Sequence, residues 1–244
     1  MNRPIELSII VPCYNEEKNI PALLERFARV MRPESPVELV LVDNGSSDQT
    51  GRVIDDEIVR NHYDFARKTT VAQNCGYGFG IMSGLREASG DLLAWTHADQ
   101  QTDPADVLEA YRRYRAEKDE RLLVKGARKA RPWGDKIMSV GMQCLASLAL
   151  GTCVTEINAQ PKLFPRALYE KMQAPPDDFS LDLYVLELAK HNHYRIVSIP
   201  VYFGSRLHGE AKGGGSRSLR QRWNLILRTV IYIFKLRNHM QRSV

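Results

Sequence analysis

The stretch LSIIVPCYNEEKNI, residues 7–20, decides the fold. It opens on the apolar run LSIIVP, the composition of a strand buried on both faces of a sheet. A polar turn comes next, PCYNE at 12–16, and then an amphipathic segment of helical length, EKNIPALLERFARVM at 17–31. The same unit returns along the chain: VELVLVD (37–43) before RVIDDEIV, TTVAQ (69–73) before GIMSGLREA, DLLAWT (91–96) before PADVLEAYRRYRAE, and RLLVKGA at 121–127. Short apolar runs alternating with helices imply an α/β domain whose central sheet is mostly parallel and flanked by helices. Beyond Arg128 the pattern predicts a helix over 135–150, a strand in INAQPKLF (157–164), and helices near 165–172 and 181–191. The strand RIVSIPVYF (195–203) and a basic amphipathic helix from Ser216 to Met240 complete the expected order.

In such sheets ligands gather beyond the carboxyl ends of the strands. The first four strands run into the loops PCYNE (12–16), DNGSSD (43–48), NCGYG (74–78) and HADQQ (97–101). Four ends rich in Asp, Asn, Glu and Gly on one edge suggest a nucleotide-sized crevice. Within THADQQTDP (96–104), Asp99 and Gln101 stand two apart, so both oxygens can turn toward one point. Oxygen-only ligation suits Mg²⁺ or Mn²⁺, with substrate phosphates and water completing the shell. Asp103 before Pro104 reads as a helix cap.

The formal charge of +5 is unevenly placed. Of 34 Lys/Arg and 29 Asp/Glu, nine basic residues and one acid fall from Gly204 onward, so that part carries +8 and the rest −3. Such a segment can meet anionic lipid or a phosphorylated substrate. The four cysteines, Cys13, Cys75, Cys144 and Cys153, form no CxxC pair and have no clustered histidines, which argues against zinc and against a disulfide framework. The start, MNRPIELSIIVP, has no long apolar region or cleavage site of a secretory signal and reads directly as the first strand, so the domain is expected to face the cytoplasm, peripheral at most to the inner face of the membrane.

LSIIVPCYNEEKNI, DNGSSDQT, QNCGYG, ASGDLLAWTHADQQ and, near the C-terminus, RLHGEAK occur in the order seen in family 2 glycosyltransferases, over residues 5–215. The resemblance is to the polyprenyl-phosphate, dolichol-phosphate mannose synthase-like branch. It implies a GT-A fold that binds a nucleotide-diphosphate sugar and transfers the sugar with inversion. Residues 1–215 would form the catalytic domain, with a nucleotide part at 1–127 and an acceptor part at 128–215, followed by the basic helix at 216–244. By resemblance, Pro12, Tyr14, Glu16 and Asp43 hold the base and ribose, Asn74 belongs to the donor side, and Asp99 and Gln101 meet the metal and diphosphate. His97 departs from the pattern, since the family usually reads D-A-D where this chain has H-A-D; a neutral imidazole can bind a metal or donate to a phosphate or sugar hydroxyl. In RLHGEAK, Arg206, His208 and Lys212 can cover a diphosphate.

Asp182, in DFSLDLY, aligns with the family's acceptor-side carboxylate and is the expected base for a hydroxyl acceptor. A lipid phosphate, already anionic, needs little such help. Arg128, Arg131 and Lys136 stand where lipid-phosphate enzymes carry arginines. The run IMSVGMQCLASLALG (137–151) is shorter than the ~20 apolar residues a bilayer demands. The C-terminal segment, interrupted by Arg228 and Lys235, suits an interfacial helix on anionic lipid or one packed on the catalytic domain, a membrane subunit or a second copy of the chain. Two other functional classes compete with this reading. A dinucleotide-dependent oxidoreductase fails on G-x-G-x-x-G, because Gly76 and Gly78 fit but the third position is Ile81. A non-catalytic sugar-nucleotide binder would explain His97, while nucleic-acid binding lacks an aromatic platform beside the basic residues.

Overall fold

A computed structural model describes residues 4–31, 36–129, 155–204 and 232–233. The expected helix at 135–150 and, apart from residues 232–233, the one at 216–240, and with them Arg131, Lys136, Arg206, His208 and Lys212, lie outside the described residues. The elements run β1 (Leu7–Cys13), α1 (Ile20–Val30), β2 (Val37–Asn44), α2 (Thr50–Arg60), β3 (Ala66–Val71), α3 (Tyr77–Glu87), β4 (Leu92–Trp95), α4 (Pro104–Glu117) and β5 (Leu122–Lys129). After these come β6 (Lys162–Pro165), α5 (Arg166–Tyr169), α6 (Leu181–His191) and β7 (Arg195–Tyr202).

The seven strands form one sheet in the order β3-β2-β1-β4-β6-β5-β7. All pairs are parallel except those of β6, which runs antiparallel to both β4 and β5. The period of two along each strand sorts the apolar residues between two layers. Leu7, Ile9 and Val11 of β1 join Leu39 and Leu41 of β2 against Leu24 and Phe27 of α1, Ile54 of α2 and Val107 of α4. Ile10, Val40, Val42 and Trp95 point the other way, against Ile81 and Leu85 of α3 and the apolar residues of α6.

The two ends of the sheet are built differently. At the amino ends, Glu38 accepts hydrogen bonds from Ser8 Oγ (2.6 Å), Ser89 N (2.7 Å) and Arg67 Nε (2.9 Å). Burial raises the Glu38 carboxyl, but these donors outweigh it and hold the group below its ordinary range. At the carboxyl ends the strands stop in unequal steps. β4 pairs with β1 only as far as Ile10, so Pro12, which cannot donate, sits where β2 alone remains beside β1.

Candidate functional site

Four loops meet beyond the carboxyl ends. Those after β1 and β2 are stitched together by their own backbones: Asn15 N donates to Ser46 Oγ (3.1 Å), Ser47 N to Asn15 Oδ1 (2.8 Å) and Glu16 N to Thr50 Oγ1 (2.8 Å). Asn15 takes the left-handed conformation, at φ 55°. Pro12, Tyr14, Glu16 and Asp43 are all half-buried along this seam. Asp43 Oδ1 accepts from Ser46 N (3.1 Å), and a Cβ on Gly51 would stand 2.3 Å from Asp43 Oδ2, so a side chain there would displace this carboxylate from its present position. Asn74 serves its own loop, its Oδ1 accepting from Gly76 N at 2.9 Å.

The glycines of NCGYG have a packing cause. A Cβ on Gly76 or Gly78 would come within 2.2 Å of the carbonyl oxygens of Asp177 and Pro176, and Phe79 N donates to Asp177 O (3.1 Å). The start of α3 is thus pressed on the loop that leads into α6, where a phosphate-binding turn would need those amides exposed.

After β4 the chain is fixed residue by residue. Gln100, in the left-handed conformation (φ 64°), donates from Nε2 to Asn19 O (2.9 Å) and accepts Arg26 Nη1 at Oε1 (2.8 Å). Gln101 bonds Gly204 twice, accepting Gly204 N at its backbone oxygen (2.9 Å) and donating Nε2 to Gly204 O (3.2 Å). Asp99, 7% exposed, accepts Gln101 N at Oδ1 (3.1 Å). Asp103 caps α4 as expected, accepting Ala105 N (2.9 Å), and pairs with Arg26 at 3.2 Å. His97 lies against Tyr77, ring centroids 5.7 Å apart, and Tyr77 stacks on Phe179 at 4.7 Å.

Asp182 differs most from its expected role. It is 1% exposed, and its Oδ1 lies 2.6 Å from Lys162 Nζ while accepting from Trp95 Nε1 (3.2 Å) and Gln160 Nε2 (3.0 Å). A general base must reach the acceptor's proton. This carboxylate is buried and already engaged by three donors, so its geometry is that of an internal anchor. Burial holds the Lys162 ammonium below its ordinary range, and the adjacent Asp182 charge opposes this only in part. Arg128 is likewise committed: Nε donates to Glu156 Oε2 (2.7 Å) and the guanidinium lies 5.7 Å over the Phe203 ring.

Sequence reasoning misses Tyr77, Gln100, Gln160, Lys162 and Arg26 as site residues. The only signals are a lone Lys in the apolar run KLF and the tyrosine inside NCGYG. Among the described residues no group of three or more His, Cys, Asp or Glu side chains could hold a metal alone. Asp99 and Gln101, the pair expected at a metal, share one loop and are joined by the Gln101 N–Asp99 Oδ1 bond; an ion held there would have to draw most of its shell from substrate phosphates and water.

The family model described as Glycosyl transferase family 2 matches residues 8–143. The undecaprenyl-phosphate 4-deoxy-4-formamido-L-arabinose transferase of Proteus mirabilis is 27% identical over 213 residues, covering 85% of this chain and 62% of that protein. The Pseudomonas fluorescens protein of the same name is 24% identical over 227 residues, covering 90% and 63%. The chain therefore spans just under two thirds of the length of these relatives. Among solved structures, glucosyl-3-phosphoglycerate synthase of Mycobacterium tuberculosis, in complex with Mn²⁺, UDP and glucosyl-3-phosphoglycerate, superposes with a TM-score of 0.71 at 18% identity, over 96% of this chain and 80% of that one. Its complex with Mg²⁺ and UDP gives 0.72 at 17%, over 96% and 79%. These neighbours share the α/β architecture of the GT-A fold, and with a family model matching more than half its length, the chain belongs to glycosyl transferase family 2.

Proposed function

We propose that this chain moves a sugar, with inversion, from a nucleoside-diphosphate donor to a polyprenyl phosphate. The observation that carries the reading is a family 2 domain whose carboxyl edge bears Asp43 at the end of β2 and Asp99 and Gln101 just after β4, and whose curated relatives are named for undecaprenyl phosphate. The seam of Tyr14, Glu16 and Asp43 receives the nucleoside, and the loop of Asp99 and Gln101 the diphosphate. Asp99 and Gln101 would hold Mg²⁺ or Mn²⁺, which neutralises charge on the departing diphosphate. The acceptor oxygen attacks the anomeric carbon, the bond from that carbon to the diphosphate breaks, and its electron pair leaves with the nucleotide.

The state of Asp182 bears on the acceptor. A hydroxyl acceptor has a proton to lose, and the one carboxylate expected to take it is enclosed by Lys162, Trp95 and Gln160. A phosphate monoester has already lost it. The arginines expected at the acceptor include Arg128, whose pair with Glu156 would have to open for direct contact.

Incubation of the protein and a panel of radiolabelled nucleotide sugars with undecaprenyl phosphate or the neutral undecaprenol tests this. Label is expected in the phosphate lipid alone, as an acid-labile sugar phosphodiester. Transfer to undecaprenol or to a soluble glycan, with none to the phosphate, would assign a hydroxyl acceptor instead.

A further inference from the structure

Behind the donor-side loops lies a continuous polar chain that the transfer step leaves unused. We propose that the buried Lys162–Asp182 pair is a positioning element of the donor site, acting through Gln160 and Tyr77 to set the ring of His97. It deepens the glycosyl-transfer reading and rests on it for the identity of the ligand.

Lys162 on β6 and Asp182 in the first turn of α6 are 0% and 1% exposed and 2.6 Å apart. Taking two charges out of water costs several kcal/mol per ion, and well-packed apolar residues fill such a volume at least as stably. Packing alone therefore does not account for the pair. Gln160, fully buried, gives Nε2 to both oxygens of Asp182 (3.0 and 3.3 Å) and to the Tyr77 hydroxyl (3.2 Å). Its Oε1 is buried without a hydrogen-bond partner. A buried acceptor left unsatisfied is costly. The carboxylate and the phenol thus fix the amide in an orientation that its own oxygen does not favour.

Tyr77 conveys that orientation to the site. It begins α3, and its ring stacks on Phe179 (4.7 Å, 15°) and tilts against His97 (5.7 Å, 35°). Burial, the charge of Asp182 and the charge of Asp99 push its phenol well up, so it stays protonated and has a proton to donate while accepting from Gln160. One phenol senses both the internal carboxylate and the carboxylate of the metal-side loop. His97, which stands where the family's usual pattern has a carboxylate, is the ring this arrangement holds.

Imidazole NMR of the full chain, with the His97 signal assigned by His97→Asn, reads the coupling without reference to activity. Asp182→Asn and Tyr77→Phe are each expected to move the His97 signal, though Asp182 is not its neighbour in the chain of contacts. Lys162→Met combined with Asp182→Asn, which leaves no buried lone charge, should return it toward the wild-type position. In transfer assays Asp182→Asn should lower kcat about a hundredfold, the scale of a small misplacement at a reacting centre, and the neutral double variant should recover about tenfold of that. A base would not be recovered. A His97 signal unmoved in Tyr77→Phe, or a double variant as inactive as Asp182→Asn while melting like the wild type, would overturn the assignment. If the His97 signal follows the pair but the wild type transfers nothing, the functional reading falls and the positioning chain stands.

Discussion

Adjacent residues after β4 have separate tasks. Gln100 is turned inward to Asn19 and Arg26, Gln101 is tied to Gly204, and Asp99 between β4 and this turn is left 7% exposed. The two-residue spacing of Asp99 and Gln101 is legible in the sequence, but the left-handed turn at Gln100 between them is not, because it is fixed by Asn19 and Arg26 from a distant part of the chain. Nor is the Lys162–Asp182 pair, since its partners are 20 positions apart and meet only when β6 lies beneath α6. Asp106 gives a prediction at this scale. Its Oδ2 is buried without a hydrogen-bond partner, and burial followed by the charge of Asp103 raises its pKa to about 6. A carboxyl raised above its unfolded value destabilises the fold increasingly as pH climbs from about 4 through about 6. Asp106→Asn should match the wild type at pH 4 and be more stable at pH 8, by about 1–2 kcal/mol after allowance for solvent screening of a half-buried group. Urea titrations at the two pH values measure it, and equal curves at pH 8 would refute the account of Asp106.

Elements were legible in proportion to how far their burial shows in a local pattern. β1, β2, β4 and β5 lie within one or two residues of the apolar runs, and α6 spans the expected 181–191. β3 lies at 66–71, displaced from the expected 69–73, because ARKTTV is an edge strand with polar, half-exposed residues and a weak period. The strand expected over 157–164 is shortened to Lys162–Pro165, since Glu156 takes a left-handed conformation and Ala159 N closes a turn on Glu156 O (3.2 Å). The glycines of α3 carry a further test. In an ordinary helix Gly→Ala gains about 1 kcal/mol. At Gly78 the new Cβ would meet Pro176 O at 2.2 Å and Asp178 O at 2.8 Å, both backbone atoms that cannot swing aside. Gly78→Ala is expected to destabilise by about 1–3 kcal/mol, the range for overpacking. Thermal melting checks the sign, and a stabilised variant would mean that the 176–178 loop is not pressed on α3.

At the scale of the whole molecule, the two ends of the strands are built differently. The amino ends are closed by the Glu38 network and by Arg166, whose guanidinium donates to Ala88 O and Gly90 O, while the carboxyl ends carry the proposed site. The basic excess after Gly204 was legible by counting, but its partner is a matter for solution work. No helix among the described residues is long and apolar enough to cross a membrane. If the excess meets anionic lipid, deletion of residues 217–244 should lower cosedimentation with phosphatidylglycerol vesicles at low salt, and the difference should shrink at high salt, where the contact is screened. Equal binding by both forms at low salt would remove the membrane from the account. The central claim, that a nucleotide sugar binds at the carboxyl edge through Asp99, is tested most directly by thermal shift of wild type and Asp99→Ala against nucleotide sugars with and without Mn²⁺. A ligand that binds only the folded state raises its melting point. The account predicts a donor whose stabilisation of the wild type is enhanced by Mn²⁺ and an Asp99→Ala protein that loses the enhancement; an equal Mn²⁺-dependent shift in both would contradict it.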